Sequence, residues 1–300
     1  MNKLLVFGSL NYDNIYTVSH ITGPGETQSS QELNIRLGGK GYNQAVAAKC
    51  AGVEVWLAGQ VGEDGQPFLD ECQRRGIHTE FLRKVPGCKT GHAVIQVDQS
   101  AQNSILLYGG ANQMLEKAYI DRVLGSFGKG DYLLLQNEVN DLDYIIEQAY
   151  ANGMKIILNP SPFDEKISCC NLEKVSWLFV NEIEGKQIAG NTGGTLIDVL
   201  HDKITGCNII LTLGGRGADC IVNGVKLRQE AFRVIPVDTT GAGDCFTGYF
   251  MGRMINCCSG ENALRFAAAA AALCITRPGA AEAIPDYEEV LHFLKIESEE

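Results

Sequence analysis

Val237-Asp238-Thr239-Thr240-Gly241-Ala242-Gly243-Asp244-Cys245-Phe246 is a glycine-punctuated turn that runs directly into a helical pattern. Gly241 and Gly243 free the main chain to turn its N–H groups inward, and the start of a helix adds a field that favours anions. Such a turn suits a phosphate, and Asp244 stands at the start of the helix that follows. An isolated acid at this place is also an ordinary capping or first-turn residue. What separates the two readings is the rest of the chain.

Upstream, apolar runs of strand length at 4–7, 53–58, 132–136, 155–159, 177–180 and 209–213 alternate with helical patterns at 42–50, 68–75, 118–126, 142–152 and 195–204. This alternation predicts an α/β fold with a mostly parallel central sheet flanked by helices. The stretches 14–37 and 92–108 break it with short strands and no helix between them. They are expected to form a small β-sheet lid near the carboxyl ends of the main strands, where such sheets bind ligands. Downstream, 241–255 and 261–275 read as two helices, and the small-residue run 267–272 in the second suits close helix packing or a flat ligand. Residues 1–300 are expected to be a single domain, without internal repeats or low-complexity linkers.

With 300 residues, 45% of them apolar and 20% charged, the chain can bury about three-quarters of the surface that its unfolded form exposes. No run approaches the roughly 20 apolar residues of a membrane helix, and Met1-Asn2-Lys3 leads into a strand-like run without a signal-peptide plan. A cytoplasmic protein without a membrane partner is expected. A net charge of −11 argues against nucleic acid as a partner, because that binding depends on clustered Lys and Arg. The 11 cysteines show no metal-ligand spacing and read as reduced thiols.

A second glycine signature, Gly38-Gly39-Lys40-Gly41-Tyr42-Asn43-Gln44, also leads into a helix, and Asn43 offers both a donor and an acceptor to a sugar hydroxyl. It is not a Walker A loop, since Gly41 follows Lys40, and no dinucleotide-binding finger follows the first strand. Polar groups gather after several strands: Asn11 and Asp13 after the first, Glu138 after 132–136, and Asn181 with Glu184 after 177–180. Each is unremarkable alone. Together they place polar groups along one rim.

With these two signatures in this order, the sequence resembles the ribokinase branch of the PfkB carbohydrate kinase family over essentially its whole length. The resemblance implies a catalytic base at Asp244 and an anion hole from the amides of Gly241, Ala242 and Gly243. It implies a sugar site of Asn11, Asp13, Gly39, Lys40, Asn43 and Glu138 with Asp244, and ribose as the first choice of acceptor. ATP as co-substrate would lie along Thr212, Gly214, Gly217 and Gly243, with Asn181 and Glu184 organising Mg²⁺ and phosphates. A monovalent cation, typically K⁺, would be held by Asp238 and by backbone oxygens near Thr240, Cys274, Arg277 and Gly279. The lid would form the contact of a homodimer.

Three positions depart from that pattern. Ala283 replaces a frequent Ser at the cation, Ala268 replaces a polar residue at the adenine, and Tyr42 replaces a small residue beside the sugar positions. Other acceptors, such as fructose, deoxyribose or a nucleoside, remain alternatives, as does a non-catalytic sugar-binding regulator.

Overall fold

The computed structural model describes residues 2–100, 102–190 and 193–296, so residue 101 of the second lid stretch lies outside the described residues, as do the chain ends of 1–300. In the first strand, β1 (Leu4–Phe7), Leu4 and Val6 enter one hydrophobic core while Leu5 and Phe7 enter another. A strand buried on both faces reads as an unbroken apolar run because each face has its own layer to fill. Strand β8 (Tyr132–Gln136) splits in the same way, with Leu134 in the first core and Leu133 and Leu135 in the second.

The chain continues from β1 through β2 (Asn11–Thr17), β3 (Glu32–Gly38), α1 (Lys40–Cys50), β4 (Val55–Val61), α2 (Gln66–Arg74), β5 (His78–Lys84), β6 (Gly91–Val97), β7 (Asn103–Tyr108) and α3 (Lys117–Leu124). After β8 come α4 (Leu142–Ala151), β9 (Lys155–Asn159), β10 (Trp177–Asn181), α5 (Glu182–Ala189), α6 (Leu196–Lys203), β11 (Asn208–Thr212), β12 (Ala218–Val222) and β13 (Val225–Gln229). Three helices close the described chain: α7 (Ala242–Ile255), α8 (Gly260–Cys274) and α9 (Tyr287–Ile296).

The main sheet has nine strands in the order β13-β12-β11-β10-β9-β8-β1-β4-β5. It is parallel from β5 to β11, and only β12 and β13 at one edge are antiparallel. Residues of α1, α7 and α8 fill the first core, and residues of α3, α4 and α6 fill the second. A separate four-stranded sheet, ordered β3-β2-β6-β7, stands apart from the main one.

The small sheet starts earlier than 14. Strand β2 begins at Asn11 and pairs Asn11 with Gly38 and Asp13 with Arg36, so Asn11 and Asp13 belong to the second sheet and not to the end of the first strand. The chain needs only residues 8–10 to pass from one sheet to the other.

Candidate active site

The site is assembled where α1 crosses α7. Gly248 of α7 faces Ala47 and Ala48 of α1, and Gly252 faces Ala51, the C-cap of α1, so closely that a Cβ on either glycine would overlap them. Residues four apart on a helix share a face, so the same face of α7 carries Asp244 one turn before Gly248. Close approach therefore delivers the start of α1 to Asp244. Asn43 Nδ2 donates to Asp244 Oδ2 at 3.0 Å, and Gln44 Nε2 donates to Oδ1 at 2.8 Å.

Asp244 is buried in the first turn of α7, whose N-cap, Gly241, has φ 74°. Only glycine takes that conformation without a steric cost, and a Cβ at 241 would in addition press on Ala280. First-turn amides of a helix lack intrahelical partners and point out along its axis. The amide of Ala242 is partly engaged, donating to the Thr239 carbonyl at 3.3 Å, while Gly243 lines an adjoining cavity.

On one side of Asp244 lie the polar groups expected to meet a sugar. Gly39, with φ 94°, caps α1, and its missing side chain leaves room for the main chain of Ser9, Leu10 and Asn11. Lys40 follows it, and its backbone N–H donates to Glu138 Oε2 at 3.1 Å, which also accepts from the Ser9 hydroxyl. Asn112 holds Asn11 by donating to its Oδ1 at 2.7 Å and ties down Leu10 through N–H and carbonyl contacts of 3.0 and 3.2 Å. Asn43 Oδ1 is buried without a partner, an acceptor free for a ligand hydroxyl.

The electrostatics are those of an acidic cluster around one ammonium. Burial, and then the negative charges of Glu138, Glu282 and Asp244, push Asp13 up to about 7, with Lys40 opposing them. Burial likewise raises Glu138, against Lys40 and the Ser9 hydroxyl. Lys40 is held above its usual value chiefly by Asp244, with burial acting the other way and Glu138, Glu184 and Asp13 adding to the rise.

On the other side of Asp244 a cavity of about 300 Å³ is lined by Lys40, Asn159, Asn181, Glu184, Thr212, Gly214 and the 241–244 turn, among others. It shares Thr212, Gly214, Thr239, Ala242 and Gly243 with a cavity of about 580 Å³ whose walls include Gly217, Phe232, Val234, Ala268, Ala271 and Ile275. The small-residue run of α8 thus serves both readings: Ala267, Ala269 and Ala270 are packed in the core, and Ala268 with Ala271 forms cavity wall. Asn181 and Glu184 cap α5 reciprocally, through contacts of 2.9 to 3.0 Å, with both side chains still reaching the smaller cavity.

Asp238 and Thr240 lie in the loop before α7, and Arg277 and Gly279 lie in the loop that follows Cys274, the last residue of α8. Burial disfavours the ionised Asp238, but hydrogen bonds from Gly279 N and Thr240 N, each 2.9 Å, outweigh it and hold the carboxyl below its usual value. Ala283 is buried in the core nearby.

Tyr42 is corrected by the structure. Its ring is buried against Phe68, edge to face with centroids 5.5 Å apart, as part of the first core and not of the polar pocket. Sequence reasoning gave no role to Ser9, Gln44, Asn112, Gln136 or Asn159. Gln44 adjoins Asn43 and Ser9 adjoins the strand-end group, so their neighbourhood was visible, whereas the other three carry no local signal.

A buried carboxylate with clustered polar groups on one flank and a cavity of about 300 Å³ on the other suits a phosphotransferase with an alcohol acceptor. A profile of the pfkB family carbohydrate kinases matches residues 1–287, and the chain belongs to that family. It is 34% identical over 301 residues to ribokinase of Haemophilus influenzae, covering 97% of this chain and 98% of that protein. The crystal structure of ribokinase from Thermotoga maritima superposes with a TM-score of 0.88 at 33% identity, covering 98% of this chain and 100% of that one. Arabidopsis thaliana ribokinase complexed with ribose and ATP superposes with a TM-score of 0.84 at 30% identity, covering 98% and 99%.

Proposed function

We propose that the protein transfers the γ-phosphoryl group of ATP to the primary hydroxyl of D-ribose, giving D-ribose 5-phosphate and ADP. The observation that carries this is Asp244: a buried carboxylate gripped by two amides between a cluster of polar groups and a cavity of about 300 Å³. The ribose-complexed relative and the matching set Asn11, Asp13, Gly39, Lys40, Asn43 and Glu138 support ribose as the acceptor. A site built from paired carboxylates and amides rejects analogues that leave those groups unpaired.

Phosphoryl transfer passes through a loose transition state, so alignment and charge stabilisation supply most of the rate. Asp244 orients the primary hydroxyl and takes its proton. The amides at 241–243 receive the transferring oxygens, and Lys40 stands between the acidic cluster and the phosphate cavity. Thr212, Gly214 and Gly217 border the nucleotide, whose base would rest on the wall containing Ala268.

Asn181 and Glu184 present an amide and a carboxylate to the phosphate cavity, hard oxygen ligands of the kind Mg²⁺ takes, in part through water. When bound, Mg²⁺ would neutralise charge on the leaving diphosphate. Asp238, Thr240, Cys274, Arg277 and Gly279 likewise offer a carboxylate and backbone oxygens suited to K⁺, which would add positive charge behind the 241–243 turn. Ala283 contributes no hydroxyl there, while the Arg36 guanidinium lies over Gly279 as a fixed cation.

The small sheet is proposed to act as a lid that excludes water and to pair two subunits. Every residue of β7 is exposed, and by strand parity Ile35 and Leu106 lie on the face opposite Asp13. Such an apolar edge and face favour association. A cytosolic location is supported by the free state of all the cysteines. Among the described residues no helix is long and apolar enough to cross a membrane.

A coupled ADP-release assay over pentoses, hexoses and nucleosides, with and without K⁺, tests the proposal. Ribose is expected to give the highest kcat/KM, with K⁺ raising turnover. A higher value with deoxyribose, fructose or a nucleoside would move the acceptor, and sugar binding without turnover would favour a regulator.

A further inference from the structure

Gln44 is fully buried, yet its whole carboxamide is committed to polar partners. Its Nε2 donates to Asp244 Oδ1 at 2.8 Å and to Asn159 Oδ1 at 3.1 Å, and its Oε1 accepts from Gln136 Nε2 at 2.7 Å. Asn159 in turn donates to the Phe179 carbonyl at 3.0 Å. Gln136 and Asn159 end the adjacent strands β8 and β9 as register partners, and Phe179 lies on the next strand, β10. The relay therefore crosses the carboxyl-terminal rim of the main sheet and finishes on Asp244.

The direction of every amide in this relay is determined by donor and acceptor chemistry. A main-chain carbonyl can only accept, so Asn159 must present its NH₂ to Phe179 and its oxygen to Gln44. Gln44 must then present its NH₂ to Asn159 and Asp244, which leaves its oxygen for Gln136. Reversing Gln44 would set its oxygen against both the Asp244 carboxylate and the Asn159 oxygen. The cost of the arrangement is visible at Gln136, whose Oε1 is buried with no partner. An apolar side chain would avoid that cost, so packing alone does not account for the amide.

We propose that Gln44 is a positioning residue for Asp244, oriented by Asn159 and Gln136; this rests on the reading of Asp244 as the base. With Asn43 on Oδ2 and Gln44 on Oδ1, the carboxylate plane is held from two sides and its remaining lone pairs are aimed at the hydroxyl. A displacement of about 1 Å in a reacting group can cost on the order of 10² in rate.

The test compares wild type, Gln44→Leu, Gln44→Glu and Asp244→Asn with D-ribose and ATP–Mg²⁺, measuring kcat across pH, D-ribose affinity by calorimetry, and melting temperature. Gln44→Leu removes both donors at similar volume. Its kcat is expected to fall on the order of 10- to 100-fold with D-ribose affinity changed less than about threefold. Gln44→Glu keeps the volume but donates only when protonated. Its kcat relative to wild type should therefore decline as pH rises.

Unchanged kcat and an unchanged pH profile in both Gln44 variants, with Asp244→Asn inactive, would overturn this inference and leave the base intact. Should Gln44→Leu fail to fold, the pH dependence of Gln44→Glu decides: a decline relative to wild type as pH rises supports positioning, and a wild-type shape overturns it. Near-normal turnover in Asp244→Asn would instead remove the underlying reading of the base.

Discussion

Gly248 of α7 lies directly against Ala47 of α1, with no room for a side chain between the two helices. That contact sets how close Asn43 and Gln44 come to Asp244, so a packing detail one turn from the site controls its geometry. Gly248→Val is expected to push α1 away, costing about 1 to 3 kcal/mol as overpacking usually does. Because the displaced contacts hold the proposed base, kcat should fall by more than the loss of stability explains. Thermal melts alongside kcat on the folded fraction check this; a destabilised variant with wild-type kcat would separate packing from catalysis.

Asp13 gives the site a pH dependence. Burial and its acidic neighbours hold it up to about 7, so in the sugar-free protein it is half protonated near neutrality. An ionised Asp13 accepts two hydroxyls where a protonated one accepts less well. Ribose affinity is therefore expected to weaken about tenfold per pH unit below 7 and to level off above it, and Asp13→Asn should show weak binding with a flatter pH dependence. Calorimetric titration between pH 5.5 and 8.5 measures it.

The same shift has a consequence for stability. Because the folded value is raised above that of the unfolded chain, near 3.9, the contribution of Asp13 is fully present below about 4 and is lost as pH rises towards 7. The sugar-free protein should melt at lower temperature at pH 7.5 than at pH 5.5 on this account, and the difference should shrink in Asp13→Asn. Equal dependence in the two proteins would assign the effect elsewhere.

Much of this architecture was legible in the sequence, because strands buried on both faces leave an unmistakable signature. Leu4–Phe7, Tyr132–Gln136 and Lys155–Asn159 are strands with the bounds read from their apolar runs. Other elements were hidden for physical reasons. Helix α5, Glu-Ile-Glu-Gly-Lys-Gln-Ile-Ala, is short, contains Gly185, and is started by the Asn181–Glu184 capping pair more than by any apolar stripe. The β12–β13 hairpin did carry a signal, Asn223-Gly224, whose residues both adopt positive φ as a tight hairpin turn requires.

Within the site, the acid and the two glycine signatures could be read locally, because turns and helix starts are short-range features. The relay through Gln44, Gln136 and Asn159 could not, since its members meet only when separate strands and a helix pack together. Tyr42 misled for the opposite reason: it neighbours Asn43 in sequence, but on a helix adjacent residues face different ways, and its ring goes to Phe68.

The proposed dimer rests on the outer face of the small sheet, where Ile35 is 60% and Leu106 71% exposed. Ile35→Lys combined with Leu106→Lys should yield monomers at micromolar concentration while leaving the main sheet folded. Sedimentation or light scattering with a thermal melt tests this, and a wild-type protein that is itself monomeric would contradict the proposal.

The central claim is that Asp244 takes the proton from the acceptor hydroxyl. Steady-state turnover of Asp244→Asn with D-ribose and ATP–Mg²⁺, beside its D-ribose affinity, addresses it most directly. The expected result is a kcat lower on the order of 10² to 10⁴ with affinity within a few fold of wild type. Near-normal kcat in a folded, ribose-binding Asp244→Asn would contradict it.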